Sequence, residues 1–215
     1  MQQLDVFLSR LNPWVPGCPE PVARQALVDS AIAFCEDTNV VRYLSDCGPL
    51  RAGQSAYDID LPPDTNMARV LRAWVNDEPI PMAAHLMIND RAAYDGSHPG
   101  RPRWAVSVER DTINLTPAPR QEDAGKHLRL LVATRPTMDA RQVDDALFHE
   151  WAEPVVMGAV HRLTMAPGTS YTSADLAVVA AAKYAQGASR ARVERNHGRG
   201  VTNSRVQART FRGGA

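Results

Sequence analysis

No run of this 215-residue sequence approaches the roughly 18 apolar residues that a membrane-spanning helix needs, so no membrane segment is expected. The opening MQQLDVFLSRLNPWVPG lacks both the basic flank and the long apolar stretch of a secretory leader. Cysteine is sparse. Cys18, Cys35 and Cys47 form no CxxC pair, and their odd number argues against a disulfide framework and fits synthesis in a reducing cytoplasm. No histidine neighbours them in sequence, so four zinc ligands at metal spacing are missing and no metal is expected.

The motifs of common catalysts are absent too. Neither a GxSxG nucleophile elbow nor a phosphate-cradling GxxxxGK[ST] occurs. His149-Glu150-Trp151-Ala152-Glu153 begins like a zinc-protease helix, but the second histidine is replaced by Glu153. His161 follows His149 by twelve residues, about 18 Å along one helix, too far to share an ion with it, and both read as surface or interface histidines. The carboxylate pairs Asp58/Asp60, Asp144/Asp145 and Glu36/Asp37 each sit beside a turn or helix end, where solvated carboxylates are commonplace. The expectation is a protein that is not an enzyme, with no catalytic residue and no cofactor.

What is present is an ordinary globular composition, 44% hydrophobic and 22% charged, enough apolar surface to offset chain entropy over a single compact body. Sixteen prolines and thirteen glycines announce many turns. After a short irregular lead, GCPEPVARQALVDSAIAFCEDTN reads as a helix with Ala23, Leu27, Ala31 and Phe34 on one stripe. From Val40 the period drops to two. Val41 and Tyr43, then Tyr57, Ile59 and Leu61, then Val70, Arg72 and Trp74 mark short strands. Hairpins are expected around Asn76-Asp77 and Arg110-Asp111, with HLRLLVAT as a further strand and NDRAAYDGSHPGRPR as a loop.

Helical periodicity returns at Phe148, Ala152, Val156, Ala159 and Leu163, with Pro154 forcing either a kink or a restart. A last helix is expected from Thr172 or Ser173 along Leu176, Ala180, Tyr184, Gly187 and Ala191. The fold class is therefore α+β: a helical bundle core with an inserted small antiparallel β domain and an extended C-terminal arm. The expected parts are a first core helix within 1–39, a β-rich lobe over 40–136, two long helices over 137–197 and an arm over 198–215.

Formal charge is zero but unevenly placed. From Lys183 onward eight cationic residues face only Glu194, whereas sixteen cationic and twenty-three acidic residues precede them. The arm GRGVTNSRVQARTFRGGA has too few large apolar residues to fold alone, and its eighteen residues would reach at most roughly 60 Å when extended. Alternating Val, Thr, Arg and Phe suit addition of a strand to another chain's sheet edge, and its arginines suit bidentate pairing with carboxylates. With one aromatic and no lysine, it suits a protein partner better than single-stranded nucleic acid.

In their order and spacing, VPGCPEPVARQALVDSAIAFCEDT, YDIDLPP, VLRAWVNDEPI, DTINLTPAP and WAEPVVMGAVHRLTMAPGTSYTSADLA, followed by an Ala- and Arg-rich helix, resemble the head-to-tail adaptor (connector) proteins of tailed bacteriophages. Tail tubular protein A of short-tailed phages is related to that family. One departure stands at Pro167 to Tyr171, PGTSY here and closer to PGKPW in the family, which puts the contacts of that loop in question.

The resemblance implies a structural virion protein at the head–tail junction. Copies would self-associate into a twelve-subunit ring under the portal protein, continue the DNA channel without binding the packaged DNA specifically, and offer a face to a downstream nozzle or tail-tube protein. It places the portal-docking contacts on Arg199, Val201, Arg205, Val206, Arg209 and Phe211, and it implies no cofactor and no membrane. The alternative is a small nucleic-acid-binding regulatory protein that grips phosphates with the basic C-terminal helix and arm. An enzyme using His149 and Glu150 is a third, weaker reading.

Overall fold

The computed structural model describes residues 2–84, 98–107, 109 and 111–197. Helix α2 (Glu20–Thr38) starts where its prolines allow, with Pro19 as N-cap and Pro21 in the first turn, where a missing N–H leaves no helical bond unmade. Ala23, Leu27, Ala31 and Phe34 are all buried, as the stripe predicts. The helix ends on Asn39 in the left-handed region (φ 51°), whose N–H donates to the Cys35 carbonyl at 2.8 Å.

The lead before it is not irregular. Helix α1 (Asp5–Leu11) buries Phe7, Leu8 and Leu11, and strand β1 (Gln2–Gln3) pairs with β9 (Gln142–Val143) far along the chain. Seven helical residues give too few turns for periodicity to register against noise.

Between α2 and the next α-helix the described residues form seven strands, β2 (Arg42–Pro49), β3 (Ala56–Asp58), β4 (Thr65–Val75), β5 (Glu78–Ile80), β6 (Trp104–Val106), β7 (Thr112–Thr116) and β8 (His127–Pro136). They make two antiparallel sheets, ordered β2-β8-β4-β5 and β3-β7-β6. Tyr57, Ile113 and Leu115 of the smaller sheet share one core with Val70, Leu128, Leu130 and Val132 of the larger, each large side chain contributing about 1.5–3 kcal/mol by leaving water. Asn76 (φ 50°) and Asp77 (φ 68°) form the β4–β5 turn, the double positive φ that a tight hairpin requires.

Strand β4 departs from simple alternation. Bulges between Met67 and Arg69 and between Val70 and Arg72 shift its register, so Met67, Val70, Ala73 and Val75 point inward while Arg72 and Trp74 fall on the face opposite Val70.

The remaining helices are α3 (Asp145–His149), α4 (Ala152–Thr164) and α5 (Ala174–His197). The chain breaks at Glu150-Trp151, and Pro154 sits in the first turn of α4, so the proline marks a restart and not a kink. Ser173 opens α5, its hydroxyl oxygen accepting from Leu176 N at 3.3 Å and its carbonyl from Ala177 N at 3.0 Å. Helices α1 to α5 enclose a second core around Leu27, Phe34, Val156 and Ala180. The fold is α+β, a helical layer with a β lobe carried between α2 and α3.

Candidate partner-binding site

The six sequence-predicted docking residues, Arg199, Val201, Arg205, Val206, Arg209 and Phe211, lie outside the described residues. Their attachment point is described, and it is built at the C-terminal end of α2. There the helix presents carbonyls without intrahelical partners and the negative end of its dipole. Arg192 Nε donates to the Asp37 carbonyl at 3.1 Å, Arg195 to Thr38 O at 3.4 Å, and Arg42 to Asn39 O at 3.3 Å. Arg42 also donates to the Arg195 carbonyl at 3.0 Å, joining the first residue of β2 to the last turns of α5. Tyr184 donates its hydroxyl to Asp37 Oδ2 at 3.0 Å, and burial followed by the Asp37 charge pushes that phenol well above its ordinary range.

Half of the cations that made the C-terminal region look like a free basic tail are thus fastenings to the body. Lys183 meets Glu153 at 3.5 Å and lies 5.6 Å from the Trp14 ring centre. Arg190 pairs with Glu194 at 3.0 Å and stacks over Trp151 at 5.1 Å. Arg192 and Arg195 cap α2. Sequence reading missed Arg42 and Asp37 as their partners because the contacts span about 150 residues of chain and leave no local spacing.

Burial first, and then the charges of Arg195 and Arg72, hold the Arg42 guanidinium below its usual pKa. Three arginines from β2, β4 and α5 therefore converge on one corner of the molecule.

The enzyme-like residues are not brought together. His149 ends α3 on the surface, and the break at Glu150-Trp151 removes the continuous helix that a zinc-protease spacing presumes. His161 is half-buried, with Nδ1 3.1 Å from the Ala177 carbonyl, to which it donates. Asp144 is the N-cap of α3, accepting from Ala146 N at 2.8 Å; Glu36 pairs with Arg135 at 3.2 Å. Cys35 is buried among apolar side chains that raise its thiol far out of the reactive range, and burial pushes Cys47 up to about 11. Among the described residues no three His, Cys, Asp or Glu side chains cluster as metal ligands. Among the described residues no helix is long and apolar enough to cross a membrane.

No protein-family model and no curated protein sequence matches this chain.

Proposed function

We propose that this chain is a structural virion protein, a head-to-tail adaptor whose copies form a twelve-subunit ring beneath a portal protein, join capsid to tail and continue the DNA channel. The observation that carries this reading is the division of the C-terminal cations. Lys183, Arg190, Arg192 and Arg195 are consumed in holding α5 to the body, whereas Arg199, Arg205, Arg209 and Arg212 belong to a segment whose composition cannot fold alone. A firmly rooted helix followed by such a segment is what an adaptor needs to insert an arm into a neighbouring ring. The same division disfavours a regulator that grips phosphates with α5, because that helix's cations are already engaged.

In this reading Arg199, Val201, Arg205, Val206, Arg209 and Phe211 contact the portal, the arginines on carboxylates and the apolar residues in a sheet edge. A downstream nozzle or tail-tube protein binds the opposite end of the ring. The test is deletion of residues 198–215. The shortened chain should keep its far-UV circular dichroism and lose co-sedimentation with the portal; portal binding at full strength by the shortened chain would refute the assignment.

A further inference from the structure

The outer face of the β2-β8-β4 sheet carries an arrangement that the adaptor reading does not use. The sheet register sets three rows of neighbouring side chains across it: Arg42, Ala133 and Arg69; Leu44, Leu131 and Arg72; Asp46, Arg129 and Trp74. The inner face of the same strands is the lobe core, so these rows point away from it. The bulges in β4 bring both Arg69 and Arg72 to the outer side. Strands lie about 4.8 Å apart and rise about 3.4 Å per residue, so the three rows cover a field roughly 10 Å across the strands and about 14 Å along them.

The charge is not balanced locally. Asp77 pairs with Arg129 and Glu36 pairs with Arg135, and Asp46, the one carboxylate in the three rows, lies 3.5 Å from His127 at the end of the face away from Arg69. Among the described residues Arg69 and Arg72 have no carboxylate partner and are exposed, whereas Arg42 and Arg195 are held by backbone carbonyls. Apolar surface is interleaved with them: Leu44 is 54% exposed, and Leu131 and Trp74 are half-buried beside it. Strand β2 is the terminal strand of its sheet, so the face is open at that side.

We propose that this face binds single-stranded nucleic acid, with phosphates on Arg69 and Arg72 and bases laid against Leu44 and Trp74. Guanidinium forks match phosphate oxygens in pairs, and the cations on this face are arginines, not lysines. A sheet face with an indole and aliphatic side chains between cations offers stacking surfaces to unpaired bases, which an acidic polypeptide would leave unused. The site is on the β lobe, apart from the arm, and stands whether or not the chain binds a portal.

The experiment is fluorescence anisotropy of a labelled 20-nucleotide oligothymidylate with the full-length chain across a salt series. The double variant Arg69→Gln/Arg72→Gln should weaken binding at least tenfold and lower the slope of log K against log salt by about 1.4, the loss of two single-strand phosphate contacts. Trp74→Ala should weaken it about fivefold or more, the low end for one base stack. A full-length chain with Arg199, Arg205, Arg209 and Arg212 changed to glutamine should bind within about twofold of the unmodified chain; circular dichroism checks that each variant is folded.

Binding that survives the sheet variants and vanishes with the arm variant would overturn the proposal. So would equal competition by poly-glutamate, which would assign the face to an acidic protein, or duplex binding as tight as the single strand and indifferent to Trp74. Portal co-sedimentation of the same sheet variants reads out the adaptor function separately.

Discussion

Asp123 is, among the described residues, the one fully buried charged side chain, 2% exposed in the turn before β8. Lys126 Nζ donates to it at 2.6 Å and Arg120 Nε at 3.2 Å. The Lys126 hydrogen bond, outweighing burial and helped by the Lys126 and Arg120 charges, holds its carboxyl below the ordinary value. A depressed folded-state pKa adds stability that is present above about pH 4, where the unfolded carboxyl is ionised, and is lost as pH falls through the folded value. Asp123→Asn should therefore cost about 1–3 kcal/mol at pH 7 and flatten the acid limb of a urea-stability profile. An acid limb unchanged from the original chain would show that Asp123 does not contribute it. The sequence hid this residue. The carboxylate pairs that drew attention, Asp58/Asp60, Asp144/Asp145 and Glu36/Asp37, stand out because they are near neighbours in sequence, yet none is fully buried. Burial depends on what folds over a turn, and QEDAGK carries no sign of it. The partnership of Arg42 with Arg195 is illegible for the same reason, since only the tertiary fold sets β2 beside α5.

Elements were readable where the period was long and unbroken. The stripe of α2 is buried as its spacing requires, as is that of α4 from Ala152 to Leu163. The stripe of α5 is buried at Ala180 and Ala191 and half-buried at Leu176, Tyr184 and Gly187, and Asn76-Asp77 adopts the hairpin that its residue types favour. Strand β4 was readable as a strand but not in its facing, because a bulge reverses every later side chain and leaves the composition unchanged. Helix packing hides a similar detail in two glycines. A Cβ on Gly158 would overlap Ser30 Oγ and come within 2.8 Å of Tyr184 Cδ2, and one on Gly187 would overlap Pro154. These positions let α4 approach α2 and α5 closely enough for the buried Ser30 hydroxyl to donate to Val155 O at 2.6 Å. Gly158→Ala gains helix propensity but overpacks this contact, and should lose a net 1–3 kcal/mol or so in chemical denaturation. Ser30→Ala in the same chain should recover part of that loss, a non-additivity that a double-mutant cycle would detect. Strict additivity would place the strain elsewhere.

At the scale of the molecule, two cores are joined along one strand. Strand β8 turns Leu128, Leu130 and Val132 into the lobe, while its far end packs against α2, with Ala133 buried and Arg135 reaching Glu36 at 3.2 Å. Arg42 adds a second tie by bonding both Asn39 O and Arg195 O. Periodicity made the lobe legible as an insertion, because the period changes from helical to two after α2 and back after β8, but it could not say how firmly the lobe is held. The shared strand argues for one cooperative unit, since unfolding the lobe removes the support of β8 from α2. The four tryptophans allow a direct measurement: Trp74 and Trp104 lie in the lobe, Trp14 and Trp151 in the helical layer. In a Trp14→Phe/Trp151→Phe chain, fluorescence follows the lobe while circular dichroism at the helical minimum follows the helices. The two urea transitions should coincide, and Arg42→Ala combined with Arg135→Ala should pull them apart, with the lobe melting first. Separate transitions in the chain that keeps both arginines would mean that the lobe is an independently folding body and that β8 does not couple it to the helical layer.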